Sequence, residues 1–225
     1  MIEYRYLQPE DAEAAAEIHI EGQPGTLLTL LGRRFLIELY RAVPRSQWGE
    51  GIGAYDNGQL VAHTAMAVSS DKFFYEFKTR HLWRVTLPVG LAVLKRPRII
   101  SYLTESWRYA DLTHSPEREG DVIFLGVKHE YLRRGLAPEI VRYMFGWANL
   151  IGLESANLMI EKRNRPMRWM IGQLNGLQVA HEFEVYGRSM LFYKVPIAAN
   201  QGDAKMPVGQ PYTPAYVYSD NGHGG

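Results

Sequence analysis

Residues 121–137, DVIFLGVKHEYLRRGLA, constrain the fold more than any other stretch of the chain. A short apolar run bounded by charges has no polar face to offer water, so 121–127 reads as a strand covered on both sides. A loop with two arginines and Gly135 follows. Beyond it, Ile140, Val141, Met144, Phe145 and Ala148 recur along one face of a helix. A buried strand feeding an amphipathic helix places the chain in the α/β class, with helices on both faces of a sheet.

The flanking patterns extend that frame. Residues 2–7 alternate as a short strand, and Pro9-Glu10-Asp11 opens a helix through Ala12, Ala15, Ala16 and His19, because proline and acidic side chains suit a helix start. Leu28, Leu31, Phe35, Leu36, Leu39 and Tyr40 predict one helix over roughly 27–42. Strands over 52–55 and 59–68 flank Asp56-Asn57-Gly58, a sequence that accepts the positive φ of a tight hairpin. Gly49-x-Gly51-x-Gly53 has the wrong spacing for a dinucleotide loop and reads as a turn ahead of the first of these strands. Further on come a strand over 156–161, a helix over 166–174 stopped by Asn175-Gly176, and a closing hairpin of 179–186 with 188–195 about Gly187. The domain thus spans 1–197, with an aromatic, partly helical insertion at about 70–118. Residues 198–225 are rich in Gly, Pro, Asn and Tyr. They read as a mobile tail, or as an arm docked through Tyr212, Tyr216 and Tyr218.

Composition narrows the function. With 25 basic and 24 acidic residues the net charge is +1, which gives no broad footprint for nucleic acid and leaves only a local basic patch open. The absence of cysteine excludes disulfides, thiolate metal sites and a cysteine nucleophile. The seven histidines lack ligand spacing, and His129-Glu130 is followed by Arg133 where a zincin needs histidine, so no metal is expected. No Gly-x-Ser-x-Gly elbow occurs. The start, MIEYRYLQPED, lacks a signal-peptide core, and the longest apolar run, 87–94, is too short to span a bilayer. A cytoplasmic protein without a membrane span is the expectation.

The loop after the buried strand carries the chemistry. A helix N-terminus offers unpaired amides and partial positive charge to an anion. Gly135 allows close approach or positive φ, Pro138 loses no bond at a helix start, and Arg133 and Arg134 add charge. On these residues alone it is either a pyrophosphate cradle or an ordinary basic turn. Residues 121–137 resemble the acyl-CoA-binding segment of the GNAT superfamily of N-acyltransferases. In that family a strand ending in a small apolar residue and valine precedes a loop of the form Gln/Arg-x-x-Gly-x-Gly/Ala. Here that loop is Leu132-Arg133-Arg134-Gly135-Leu136-Ala137, departing from the pattern at Leu132. EKRNRPMRWMIGQLNG, residues 161–176, is similar to the family's segment after its fifth strand. LLTLLGRRFLIELY and LKRP resemble a branch with a long insertion before the acyl-CoA strand. The likeness covers most of 1–197 and not the tail.

The resemblance implies a three-layer fold with a mixed, mostly antiparallel sheet. It also implies an N-acyltransferase using acetyl-CoA or another acyl-CoA, without metal, on a primary amine of a small molecule or peptide. In that reading the Val127 amide is the oxyanion donor at a strand end opened by a bulge at Gly126, and Leu125, Gly126 and Val127 line the coenzyme. The amides of Arg134 through Ala137 hold its pyrophosphate, with Arg133, Arg134, Gly135 and Leu136 around it, and Asn164 faces the pantetheine arm. Asp121 is the candidate base, acting through water, with Glu119 and His114 as alternatives. The tyrosine that protonates the leaving thiolate in many members falls on Ile171, leaving Tyr186 and Tyr193 as substitutes. The insertion carries Phe73, Phe74, Tyr75, Phe77, Trp83, Trp107 and Tyr109. It either walls a pocket for an acyl chain or apolar acceptor, or forms an accessory helical layer or a homodimer contact. A second reading is a non-catalytic module of the same fold that binds acyl-CoA.

Overall fold

A computed structural model describes residues 1–110 and 116–218. The chain runs β1 (Ile2–Tyr6), α1 (Ala12–Gly22), α2 (Leu27–Leu31), α3 (Arg33–Ala42), β2 (Gly49–Asp56), β3 (Gln59–Ala67), α4 (Ser70–Lys95) and α5 (Ile99–Ala110). It continues through β4 (Glu119–Val127), α6 (Leu136–Leu150), β5 (Ser155–Glu161), α7 (Arg165–Ile171), β6 (Gln178–Val185) and β7 (Arg188–Pro196). The strands form one sheet in the order β1-β2-β3-β4-β5-β7-β6, antiparallel throughout except for the parallel pair β4–β5. That is the mixed, mostly antiparallel sheet that the family resemblance implies.

The sheet separates two cores. On one face α6 buries Ile140, Val141, Met144, Phe145 and Trp147 against Ile52, Met66 and Leu158. On the other, Ile18 of α1, Leu36 and Tyr40 of α3 and Phe73 and Phe77 of α4 pack with Leu7 and Phe124. Helix α4 is thus part of the second layer through its inner side.

Two expectations need correction, and of the two readings of the C-terminal segment the docked arm is the one observed. The helix expected over 27–42 is two helices, because Gly32 sits at φ 98° and breaks the ladder between α2 and α3. Gly49, Gly51 and Gly53 lie inside β2 and are not a turn. A Cβ on Gly51 would fall 2.5 Å from Leu7, and one on Gly53 2.6 Å from Leu60 and Tyr55. Large side chains cross the strand where these glycines leave room. The C-terminal segment packs on the domain as far as residue 218. Lys205, Val208, Tyr216 and Tyr218 donate main-chain N–H bonds to Arg142, Tyr4, Gln47 and Ile151 at 2.8–3.1 Å. Tyr216 stacks on Trp48 at 4.8 Å. A polar composition with little to bury suggested mobility, yet main-chain pairing and aromatic stacking order this segment. In the insertion, the backbone of Trp107 and Tyr109 belongs to α5, and their side chains lie outside the described set.

Candidate functional site

The geometry turns on how β4 sits between its neighbours. It pairs with β3 from Ala67↔Asp121 to Ala62↔Val127, but with β5 only from Glu119↔Ser155 to Val122↔Leu158. Beyond Val122 the two parallel strands diverge and leave an opening. The register against β3 passes from Ala65↔Phe124 to Met66↔Val122, so the extra residue is Ile123. The bulge therefore sits three residues earlier than the expected Gly126. That glycine serves packing instead, since a Cβ there would lie 2.8 Å from Ile18 and 3.2 Å from His63.

Alternation of the ladder fixes which amides reach the opening. Lys128 donates to the Val61 carbonyl at 2.9 Å, making that a hydrogen-bonded pair. Gly126 and Phe124, two and four residues back, then turn their main-chain groups to β3, while Val127 and Leu125 turn theirs toward the opening. The Leu125 carbonyl accepts from Gln23 Nε2 at 3.4 Å. Leu125 and Val127 thus present main-chain polar groups along one side of the cleft, while their side chains pack on the α6 face.

The cleft leads to the start of α6. Arg133 has φ 61° and Gly135 φ 78°, two left-handed residues that turn the loop into the helix. The first-turn amides of Leu136 and Ala137 have no acceptor within the helix, and an added Cβ on Gly135 would meet no atom within 4 Å. Open space therefore fronts the donors. The Arg134 guanidinium lies 4.7 Å over the Tyr131 ring, whose hydroxyl donates to Asp56 at 3.0 Å. Leu132, the departure from the expected loop, is about half exposed.

Other expected residues lie elsewhere. Asp121 stands at the paired end of β4, accepting from Ser70 Oγ at 2.6 Å and from Asn157 Nδ2 at 3.4 Å. Six strand residues separate it from Val127 by roughly 20 Å and four separate it from Leu125 by roughly 13 Å. Direct contact with a group bound at either amide is out of reach. Glu119 is ion-paired with Lys194 and also accepts from Asn157. His114 lies outside the described residues. The Asn164 side chain caps α7, accepting from the Met167 amide at 3.2 Å. Ile171 is fully buried, Tyr193 is buried with its hydroxyl accepting from Arg168 Nε at 3.2 Å, and Tyr186 occupies the turn between β6 and β7.

Some residues at the cleft were not singled out by sequence. Arg188 donates to the Gly25 carbonyl at 3.0 Å and pairs with Glu161 at 3.5 Å, tying the α1–α2 loop to the open end of β5. From α5, Glu105 accepts the Tyr186 amide at 2.7 Å, and Tyr102 meets the Tyr186 ring edge-on at 5.1 Å. These contacts join residues 27 to 163 positions apart, and no local motif marks them. Cavities of about 250 and 310 Å³ lie between α3 and α4 and beside the α4–α5 turn, and neither is lined by β4 or β5.

Comparison with known proteins bears on this geometry. No family model matches the chain, and no curated protein does. Solved structures do. The ribosomal-protein-S18-alanine N-acetyltransferase of Escherichia coli aligns over 88% of this chain and 94% of its own, at 12% identity and TM-score 0.57. A GNAT-family acetyltransferase of Streptococcus pneumoniae aligns over 87% and 99%, at 15% identity and TM-score 0.55. Arabidopsis thaliana NAA60 in complex with acetyl-CoA aligns over 88% and 99%, at 14% identity and TM-score 0.55. The chain has the fold of the GNAT acetyltransferases.

Proposed function

We propose that the chain is an acyl-CoA-dependent N-acyltransferase, most simply an acetyltransferase, acting on a primary amine of a small molecule or peptide. The observation that carries this reading is the β4–β5 opening, edged by the main-chain groups of Leu125 and Val127 and running to the α6 N-terminus at Gly135. A long, thin ligand with an anionic end suits that shape. The likeness to structures such as NAA60 with acetyl-CoA supports the choice of ligand.

In this reading the amides of Arg134 through Ala137 receive the pyrophosphate, helped by the helix dipole. Arg133 and Arg134 add charge around it. Leu125 and Val127 offer the pantetheine arm a strand edge, with Gly126 turned to β3 between them, and Asn164, whose side chain caps α7, serves the site by fixing that helix start. When bound, the coenzyme supplies an acyl group activated as a thioester. As an amine adds to it, the Val127 amide donates to the developing oxyanion, a fixed donor needing no reorganisation. The Leu125 amide, with the same orientation, is a second donor. Asp121 accepts the amine proton through a chain of water along β4, as its separation demands.

Calorimetric titration with acetyl-CoA, followed by measurement of free-CoA release against a panel of amines, tests this. Saturable binding with turnover on at least one amine is the expected result. No binding would remove the coenzyme site. Tight binding with no turnover on any amine would favour the non-catalytic module, the reading that the departure at Leu132 and the buried Ile171 keep in play.

A further inference from the structure

Helix α4 has two apolar sides, and only one of them is used by the core. Phe73, Phe77 and Val85 point inward and are buried. Elsewhere on its surface Trp83, Leu87, Leu91 and Leu94 follow helical spacing and stay in solvent, with Trp83 72% and Leu94 79% exposed. The stripe spans twelve residues, about 17 Å of helix. Ile100, just past the α4–α5 turn, is exposed as well.

Along the chain the charges around this stripe are basic, although at its first end Arg80 pairs with Glu76 at 2.5 Å and Arg84 with Glu38 at 3.4 Å. Between Glu76 and Glu105 the chain carries Lys78, Arg80, Arg84, Lys95, Arg96 and Arg98 and no Asp or Glu, in a protein whose net charge is only +1. Arg80 and Arg84 sit at one end of the stripe, and Lys95, Arg96 and Arg98 at the other, all exposed. The Arg84 guanidinium lies 4.8 Å over the Trp83 ring.

We propose that this outer face of α4, with the α4–α5 turn, docks on an anionic lipid bilayer surface. A helix presenting Trp and Leu between clusters of Lys and Arg buries its apolar side at the acyl boundary while the cations meet lipid headgroups. No described helix is long and apolar enough to cross a membrane, so the contact is peripheral. A second copy fits less well, because in a two-fold contact the patch meets itself and would set cations against cations. Nucleic acid offers phosphates to the cations but no apolar phase for the leucines. This docking does not depend on the acyltransfer reading.

The test is co-sedimentation of the full chain with vesicles of phosphatidylglycerol and phosphatidylcholine, against phosphatidylcholine alone. Binding to the anionic vesicles, weakened by salt, is expected. The variant Leu87→Gln/Leu94→Gln should bind about tenfold or more weakly with its melting temperature unchanged, since both side chains are exposed. Arg96→Gln/Arg98→Gln should also bind more weakly. Lipids brominated in the acyl chain should quench tryptophan emission in the wild type, and Trp83→Phe should lose that quenching while still binding. No pelleting with anionic vesicles at low salt would overturn the proposal, as would pelleting indifferent to the leucine variant. A dimer in sedimentation velocity that the leucine variant dissolves would assign the face to a second copy and overturn it equally.

Discussion

The two faces of the sheet bury their polar groups in opposite protonation senses. Under α6, Glu50 of β2 is fully buried, and its carboxylate accepts only the next residue's amide, from Gly51 at 2.8 Å, among the described residues. Burial pushes its pKa up to about 8. On the α1–α3 face, His19 and His63 are buried around Tyr40, with His19 Nδ1 2.8 Å from the Tyr40 hydroxyl. Burial pulls His19 down to about 4, and burial together with the neighbouring His19 pulls His63 down to about 3. One face excludes a negative charge and the other excludes positive ones. The same cost of desolvation therefore acts at opposite ends of the pH scale.

That contrast is broken most directly at Glu50. A carboxyl whose folded pKa is raised keeps its proton in the native state while the unfolded chain loses it. Stability is thus fully present below about pH 4.5 and is lost as pH rises toward 8. Glu50→Gln, which removes the ionisation, should abolish a decline on the order of 3 kcal/mol between pH 5 and 8. Urea denaturation of both proteins across that range measures it. Identical slopes would mean that the carboxyl is not held neutral.

The histidines give the mirror image. With folded pKa values depressed, the unfolded chain binds protons that the native state refuses, so stability is complete above about pH 6.5 and falls as pH drops toward 4 and 3. Between pH 7 and 5 each histidine should cost about 2 kcal/mol. Replacing His19 with phenylalanine should halve the acid-side slope of denaturation midpoints, and an unaltered slope would show that His19 titrates freely. His63, in contact with Gly126 beside the cleft strand, is the riskier site for substitution.

What could be read in advance follows the same division. The α6 side was legible because its chemistry is local: an apolar strand, a loop with one glycine and a helix start follow one another within 121–137. The left-handed Gly135 and the buried strand end are direct consequences of those residue types. The position of the bulge was not legible, since Gly126 advertises flexibility while the register slip falls at Ile123, whose side chain gives no sign of it. The far side of the cleft was opaque for a related reason. Gln23 on Leu125, Arg188 on Gly25 and Glu105 on Tyr186 are single contacts between segments that only the fold brings together. Ordering of residues 198–218 likewise rests on scattered main-chain bonds and one ring stack, to which composition is blind.

The cleft itself allows the smallest and sharpest separation, between binding and turnover. In the proposed reading Gly135 acts on the coenzyme end alone: valine there must adopt φ near 78°, a conformation costing a β-branched residue about 1–2 kcal/mol, and its side chain would enter the open space at that turn. Acetyl-CoA affinity should fall about tenfold or more in Gly135→Val, with the rate at saturation preserved. The proposed base, Asp121, stands at the other end of β4, far from the proposed pyrophosphate site. Asp121→Asn should leave the dissociation constant for acetyl-CoA in place and lower kcat about a hundredfold, at the low end for a lost general base, because water relays the proton. Asparagine has one acceptor oxygen where Asp121 uses two, toward Ser70 and Asn157, so an unchanged melting temperature of the variant is the control that separates lost basicity from a loosened strand. If both variants lowered affinity alone, Asp121 would be a structural member of the Ser70–Asn157 network and the base would have to be sought among groups nearer Leu125, of which Glu161 is tied to Arg188 at the open end of β5.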